Sequence, residues 1–154
     1  MRFLATFLLL AAALAAQPYR PGDRFAAFST KDQHDRAFTY EGGAKRVIVA
    51  FEMGSGKAAN AFFEQQPADF LTRHETIFLS NIYGMPGIAR AFAMPKMRKY
   101  PHRILIADGK DFLARYPTQE DQLTVLNLDA AGVITDIRFV DPKRGLPAVF
   151  GAGR

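Results

Sequence analysis

Apolar residues run without a break through Val47-Ile48-Val49-Ala50-Phe51 and stop at Glu52. Five residues are too few for a buried helix, and a strand apolar at every position has both faces covered. This run therefore predicts a core strand of a parallel-type sheet with helices packed on either side. Beyond it, Ala59, Phe62, Phe63, Gln66 and Phe70 recur at helical spacing, with Pro67 expected to end or kink that helix. Residues 76–82 read as the next strand. Pro86 suits the first turn of a second helix, whose buried stripe is expected to carry Ile88, Ala91 and Phe92 and whose length Pro95 should limit.

Residues 103–107 predict a third buried strand, followed by a short irregular or helical piece. Residues 123–128 and 133–140 predict two more strands joined by Asp129-Ala130-Ala131-Gly132, a linker of hairpin length. In the last strand Asp136 and Arg138 alternate with Thr135, Ile137 and Phe139, the pattern of one face in water. Residues 25–40 predict an N-terminal hairpin turning at Lys31-Asp32-Gln33-His34-Asp35, and Gly42-Gly43 breaks the chain after it. Residues 141–154, with Pro142, Gly145, Pro147, Gly151 and Gly153, are expected to fray. There is no internal repeat.

The length of 154 residues is that of one domain, and 49% hydrophobic content with 14 Phe supplies a core. Arg2, the apolar run over residues 3–14 and Ala13-Leu14-Ala15 together read as an export signal, with cleavage expected after Ala15 or Ala16. That run is shorter than the ~20 apolar residues of a spanning helix, and no later segment is long enough either. Gln17 stands where a lipid anchor would need Cys. Residues 1–16 are thus expected to be a cleaved signal peptide, 17–140 the domain and 141–154 the tail. The location would be periplasmic in a Gram-negative cell.

With no cysteine at all, the exported chain lacks disulfides, thiolate nucleophiles and thiolate metal ligands together. Loss of Arg2 with the leader leaves 19 Lys and Arg against 15 Asp and Glu, a net charge of +4 that favours anionic partners weakly. Export makes nucleic acid an unsuitable partner.

Three phrases then stand together: PGDRFAAFSTKDQHDRAF before the first core strand, KRVIVAFE as that strand, and LTVLNLDAAGVIT near the end. In this order, behind an export leader, the chain resembles the thioredoxin-like superfamily, in its periplasmic thiol-disulfide and peroxiredoxin-related branch, over about residues 21–140. The resemblance implies an α/β thioredoxin-like fold, a central mixed sheet flanked by helices with an N-terminal hairpin and a C-terminal antiparallel hairpin. It also implies a redox cysteine pair or peroxidatic cysteine just after the first core strand, and a cis-proline before the strand at Leu123. Here those places hold Met53-Gly54-Ser55-Gly56-Lys57-Ala58 and Glu120-Asp121-Gln122. The chain therefore resembles a degenerate member, with thiol-disulfide exchange and cysteine peroxidase activity both lost for want of a thiolate.

Gly54-Ser55-Gly56-Lys57 is not a nucleotide loop, since Phe51 replaces the first Gly of G-x-x-x-x-G-K-[ST] and Ala58 its hydroxyl. A helix start there still offers unpaired amides to a small anion or peptide. Ser55 lacks the G-x-S-x-G elbow, because Met53 and Lys57 stand at its glycine positions. His34, His74 and His102 show no metal-ligand spacing, and Asp32 and Asp35 beside His34 read as turn residues, so no metal is assigned. Asp69, Glu75, Glu120 and Asp121 default to solvated carboxylates. No G-x-G-x-x-G joins a strand to a helix, so no flavin or dinucleotide is assigned either, and no cofactor is expected. Arg90, Lys96, Arg98, Lys99, His102 and Arg103, interleaved with Phe92, Met94, Met97 and Tyr100, read either as the solvated side of an amphipathic helix or as a docking face for an acidic protein or an anionic membrane surface.

These readings lead to an exported binding or accessory protein without thiol chemistry, taking a protein, peptide or small anion. Its candidate partner site is Glu52, Met53, Gly54, Ser55, Gly56 and Lys57 with Glu120, Asp121 and Gln122. Its candidate basic docking face is Arg90, Lys96, Arg98, Lys99 and Arg103. An enzyme of non-thiol chemistry, a hydrolase or a cofactor-dependent oxidoreductase, is the alternative, and a structural accessory of an envelope complex is a third reading.

Overall fold

The computed structural model describes residues 17–151; the leader expected over residues 1–16 lies outside the described residues. In chain order the strands are β1 (Phe28–Lys31), β2 (Ala37–Tyr40), β3 (Arg46–Ala50), β4 (Thr76–Asn81), β5 (Leu105–Ala107), β6 (Leu123–Leu128) and β7 (Ile134–Val140). The helices are α1 (Met53–Glu64), α2 (Phe70–Arg73), α3 (Gly87–Met97), α4 (Lys110–Leu113) and α5 (Leu146–Val149). Strands β5-β4-β3-β6-β7 form one mixed sheet, and β1-β2 form a separate antiparallel pair. Strand β3 runs parallel to β4, and β4 to β5, whereas β6 is antiparallel to both β3 and β7.

The apolar run is β3, the middle strand, and it is apolar throughout because both its faces are covered. Val47 and Val49 point to one side and Ile48 and Ala50 to the other, all four essentially sealed from water. On the first side the hairpin, Phe25, Leu113 of α4 and Tyr116 close the core. On the second side lie Ala59 and Phe63 of α1, Leu71 of α2, Met97 of α3 and Leu146 of α5. Phe63 contacts the rings of Phe78, Phe62 and Phe150, so truncating it to Ala should cost about 3–5 kcal/mol. Asp32 makes the hairpin turn by accepting the N–H groups of His34 and Arg36.

The second helix differs from expectation in two ways. Pro95 lies inside α3, which continues to Met97, and the Arg98 N–H still reaches the Met94 carbonyl beyond the gap left by proline. Ile88 and Phe92, expected on the buried stripe, are 77% and 79% exposed. The inward residues are instead Met94 and Met97, with Ala89 and Ala93 beside them. The small alanines leave a space between α3 and α1, and the Ile88 and Phe92 side chains are turned outward.

The tail is also more ordered than its glycines and prolines suggest. Through Gly151 it packs on the core: Leu146 is fully buried, and Phe150 lies 4.8 Å from the Phe70 ring and 4.9 Å below the Arg46 guanidinium. The Asp141 carboxylate accepts the N–H groups of Arg144 and Lys143, which lowers its pKa, and Pro147 sits in the first turn of α5. Glycine and proline here build turns.

Candidate functional site

Gly54-Ser55-Gly56-Lys57 forms the first turn of α1 itself, with no loop in front of it. Glu52 precedes the helix in extended conformation. Its N–H donates to the Ser55 hydroxyl at 3.4 Å, and that hydroxyl donates to the Glu52 carbonyl at 3.0 Å. Ser55 is thereby buried and committed, and no histidine contacts it among the described residues, so the geometry supplies no base for a serine nucleophile. A Cβ on Gly56 would stand 3.7 Å from Ala50 Cβ and 3.8 Å from Ser80 Oγ, which places the start of α1 close against β3 and β4.

The second candidate segment adjoins the first. The Asp121 N–H donates to Glu52 Oε1 at 3.2 Å, from a left-handed backbone with φ +57° that aspartate tolerates better than most residues. Glu120 is exposed, and Gln122 closes a turn with Gln119. No peptide bond among the described residues is cis. The positive end of α1 thus already faces the carboxylate of Glu52, which answers the free amides of the helix start.

The basic residues do not form one face. Arg90 pairs with Asp108 at 2.7 Å and donates to the Ile82 carbonyl, tying α3 to the end of β5. Arg98 pairs with Asp35 at 2.7 Å and donates to the Gln33 carbonyl, tying α3 to the hairpin turn. Arg103 lies 3.9 Å from Asp32 and over the Phe38 ring. Lys99 points to solvent, and Lys96 turns toward α1.

Between α1 and α3 lies a cavity of about 280 Å³. Its α1 wall is Glu52, Met53, Gly56, Lys57 and Asn60, and its floor is the end of β4 with Ser80, Asn81 and Ile82. Its α3 wall is Ala89, Phe92, Ala93, Lys96 and Met97, with Met85 and Tyr100 at either end. The large exposed side chains of Met53 and Phe92 stand on opposite sides of its mouth.

Behind the cavity is a buried polar pair that sequence reasoning missed. His102 is 1% exposed, and its Nε2 lies 2.8 Å from Asn60 Oδ1, so the neutral ring carries its proton on Nε2. Burial among Phe63, Phe78 and Tyr100 pushes its pKa from the ordinary 6.5 down to about 4, and Nδ1 has no partner. The His102 carbonyl accepts from Gln33 Nε2, and the Ile104 N–H donates to Gln33 Oε1, so the buried Gln33 holds the loop in place. A polar Asn60 between Ala59 and Phe63 was the only available sequence signal. Its partner stands 42 residues away. Among the described residues no three His, Asp or Glu gather as metal ligands.

The sheet order, the two hairpins and the helix after the central strand define a thioredoxin-like fold, here in a chain with no cysteine. The likeness is to solved structures of redox proteins. A thio-disulfide isomerase from Thermus thermophilus superposes with TM-score 0.53 at 17% identity, over 87% of this chain and 94% of that one. A thiol peroxidase from Chromobacterium violaceum gives 0.53 at 15%, over 90% of each chain. The thioredoxin domain of a thiol-disulfide oxidoreductase from Bacteroides vulgatus gives 0.55 at 13%, over 86% of this chain and 98% of that one. No protein-family model matches the sequence, and no curated protein matches it either.

Proposed function

We propose that the mature chain is an exported binding module that uses a thioredoxin-like scaffold without thiol chemistry. The observation that carries this reading is the cavity between α1 and α3, which opens beside the helix start where the resembling enzymes hold their cysteine. Apolar walls with a few polar groups set among them are the usual make-up of a ligand site. Two exposed apolar side chains at the mouth, Met53 and Phe92, extend the contact surface outward.

The test is crosslinking in the native envelope with wild type and with Ala93→Phe, which fills the cavity from a half-buried position. The wild type should capture a defined partner or ligand, and the filled variant should lose it while keeping its circular dichroism spectrum. Equal capture by both proteins counts against this site. The same preparation should show no disulfide reduction in an insulin turbidity assay, and turnover above buffer would remove the thiol-free reading.

A further inference from the structure

We infer that this cavity is a receptor for a small amphipathic carboxylate, a free organic acid of about seven or eight carbons in all; this rests on the binding-module reading and gives it a ligand chemistry. Size sets the first limit. A water molecule occupies about 30 Å³ of liquid, so the 280 Å³ between the walls takes roughly nine non-hydrogen atoms.

The walls set the second limit. Met53, Met85 and Met97 approach the space from three directions, and their flexible thioethers adapt to an alkyl chain of no fixed shape. Ala89 and Ala93 keep the α3 side open.

Charge and hydrogen bonding set the third. Lys57 from α1 and Lys96 from α3 both line the space, and neither joins an ion pair among the described residues. On the same helix Arg90 and Arg98 are both paired, so α3 carries one cation toward the cavity that no protein carboxylate has claimed. Glu52 is the opposing charge, and its carboxylate is engaged by the Asp121 N–H, so two cations face one anion. Asn60 supplies a neutral donor. Its Oδ1 is taken by His102, which leaves the Nδ2 hydrogens of a 95% buried side chain for an acceptor in the cavity. An ammonium head would meet two lysines, and a plain alcohol would leave their charges unanswered.

The probe is sodium octanoate, titrated into the purified protein by calorimetry beside 1-octanol and octylammonium. Octanoate should bind at one site with a dissociation constant on the order of 0.1 mM, at least tenfold tighter than either comparator. Lys57→Gln with Lys96→Gln should weaken octanoate at least tenfold and leave octanol unchanged, because both lysines are at the surface and the fold does not depend on them. Ala93→Phe should abolish binding of all three. Octanol or octylammonium binding as well as octanoate, octanoate unaffected by the lysine changes, or no saturation by octanoate each overturns the proposal. If octanoate fails while Ala93→Phe still strips a crosslinked protein in the envelope, the binding module stands and the carboxylate assignment falls.

Discussion

His102 offers a measurement in which a buried group reports its own surroundings. In the folded chain its pKa is held at about 4 because charging the ring would place a cation among Phe63, Phe78 and Tyr100 with only Asn60 to answer it. In the unfolded chain the ring returns to about 6.5. Above pH 6.5 neither state is protonated and the site has no pH dependence. Between 6.5 and 4 the unfolded chain takes up a proton that the folded chain refuses, so stability falls as the solution is acidified, and the loss levels off below 4. At 1.36 kcal/mol per pKa unit, the loss between pH 7 and pH 4.5 is roughly 2.5 kcal/mol from this residue alone. His102→Gln keeps a donor for Asn60 and removes the titration. Urea unfolding followed by circular dichroism at pH 7 and pH 4.5 separates the effects. The variant should be weaker by about 1 kcal/mol at pH 7 through lost ring packing, yet should lose about 2.5 kcal/mol less than wild type on acidification. Carboxylate titration is common to both proteins and cancels. Identical acid losses in the two proteins would refute the desolvation argument, and so would a His102 proton resonance titrating near pH 6.5.

Gly145→Ala should lower stability by about 2 kcal/mol in urea, because a Cβ there collides with Val140 Cγ1 and stands 2.9 Å from the Asp141 carbonyl; a change under 0.5 kcal/mol contradicts that packing. Phe150→Ala should cost about 2 kcal/mol and open the chain after residue 141 to limited proteolysis, since its ring covers Phe62, Phe70 and His74; unchanged cleavage would mean that the tail does not seal the core. A thiol introduced by Ser55→Cys should react with iodoacetamide at least about tenfold more slowly than one introduced by Gly54→Cys, because Ser55 is buried and Gly54 is exposed. Equal rates would place the start of α1 in solvent.

The sheet was legible because its signal is local. A short unbroken apolar run suits a strand covered on both sides and an alternating run a strand with one face in water, and β3, β4, β6 and β7 all fall where their runs lie, as does the Asp32 turn of the hairpin. The proximity of Glu52 to Asp121 was legible only through the resemblance, since nothing in either segment points to the other. The outward turn of α3 was not legible. Helical spacing shows that Ile88 and Phe92 share a stripe, but not whether that stripe or the one through Ala89, Ala93 and Met97 meets the sheet. The same ambiguity hid the cavity, which exists because small residues face α1. The packed tail was missed because Gly145 and Pro147 serve a defined turn as readily as a loose end. The His102–Asn60 pair has no sequence pattern and forms only when β5 and α1 are brought together by the fold.

Strand β3 takes its neighbour β4 after one short crossover, but its other neighbour, β6, begins only at Leu123. Residues 51–122 must therefore loop out before the centre of the sheet is paired on both sides, and closing so long a loop is slow. A chain emerging from its N-terminus stays incomplete at its middle until four-fifths of it has been made.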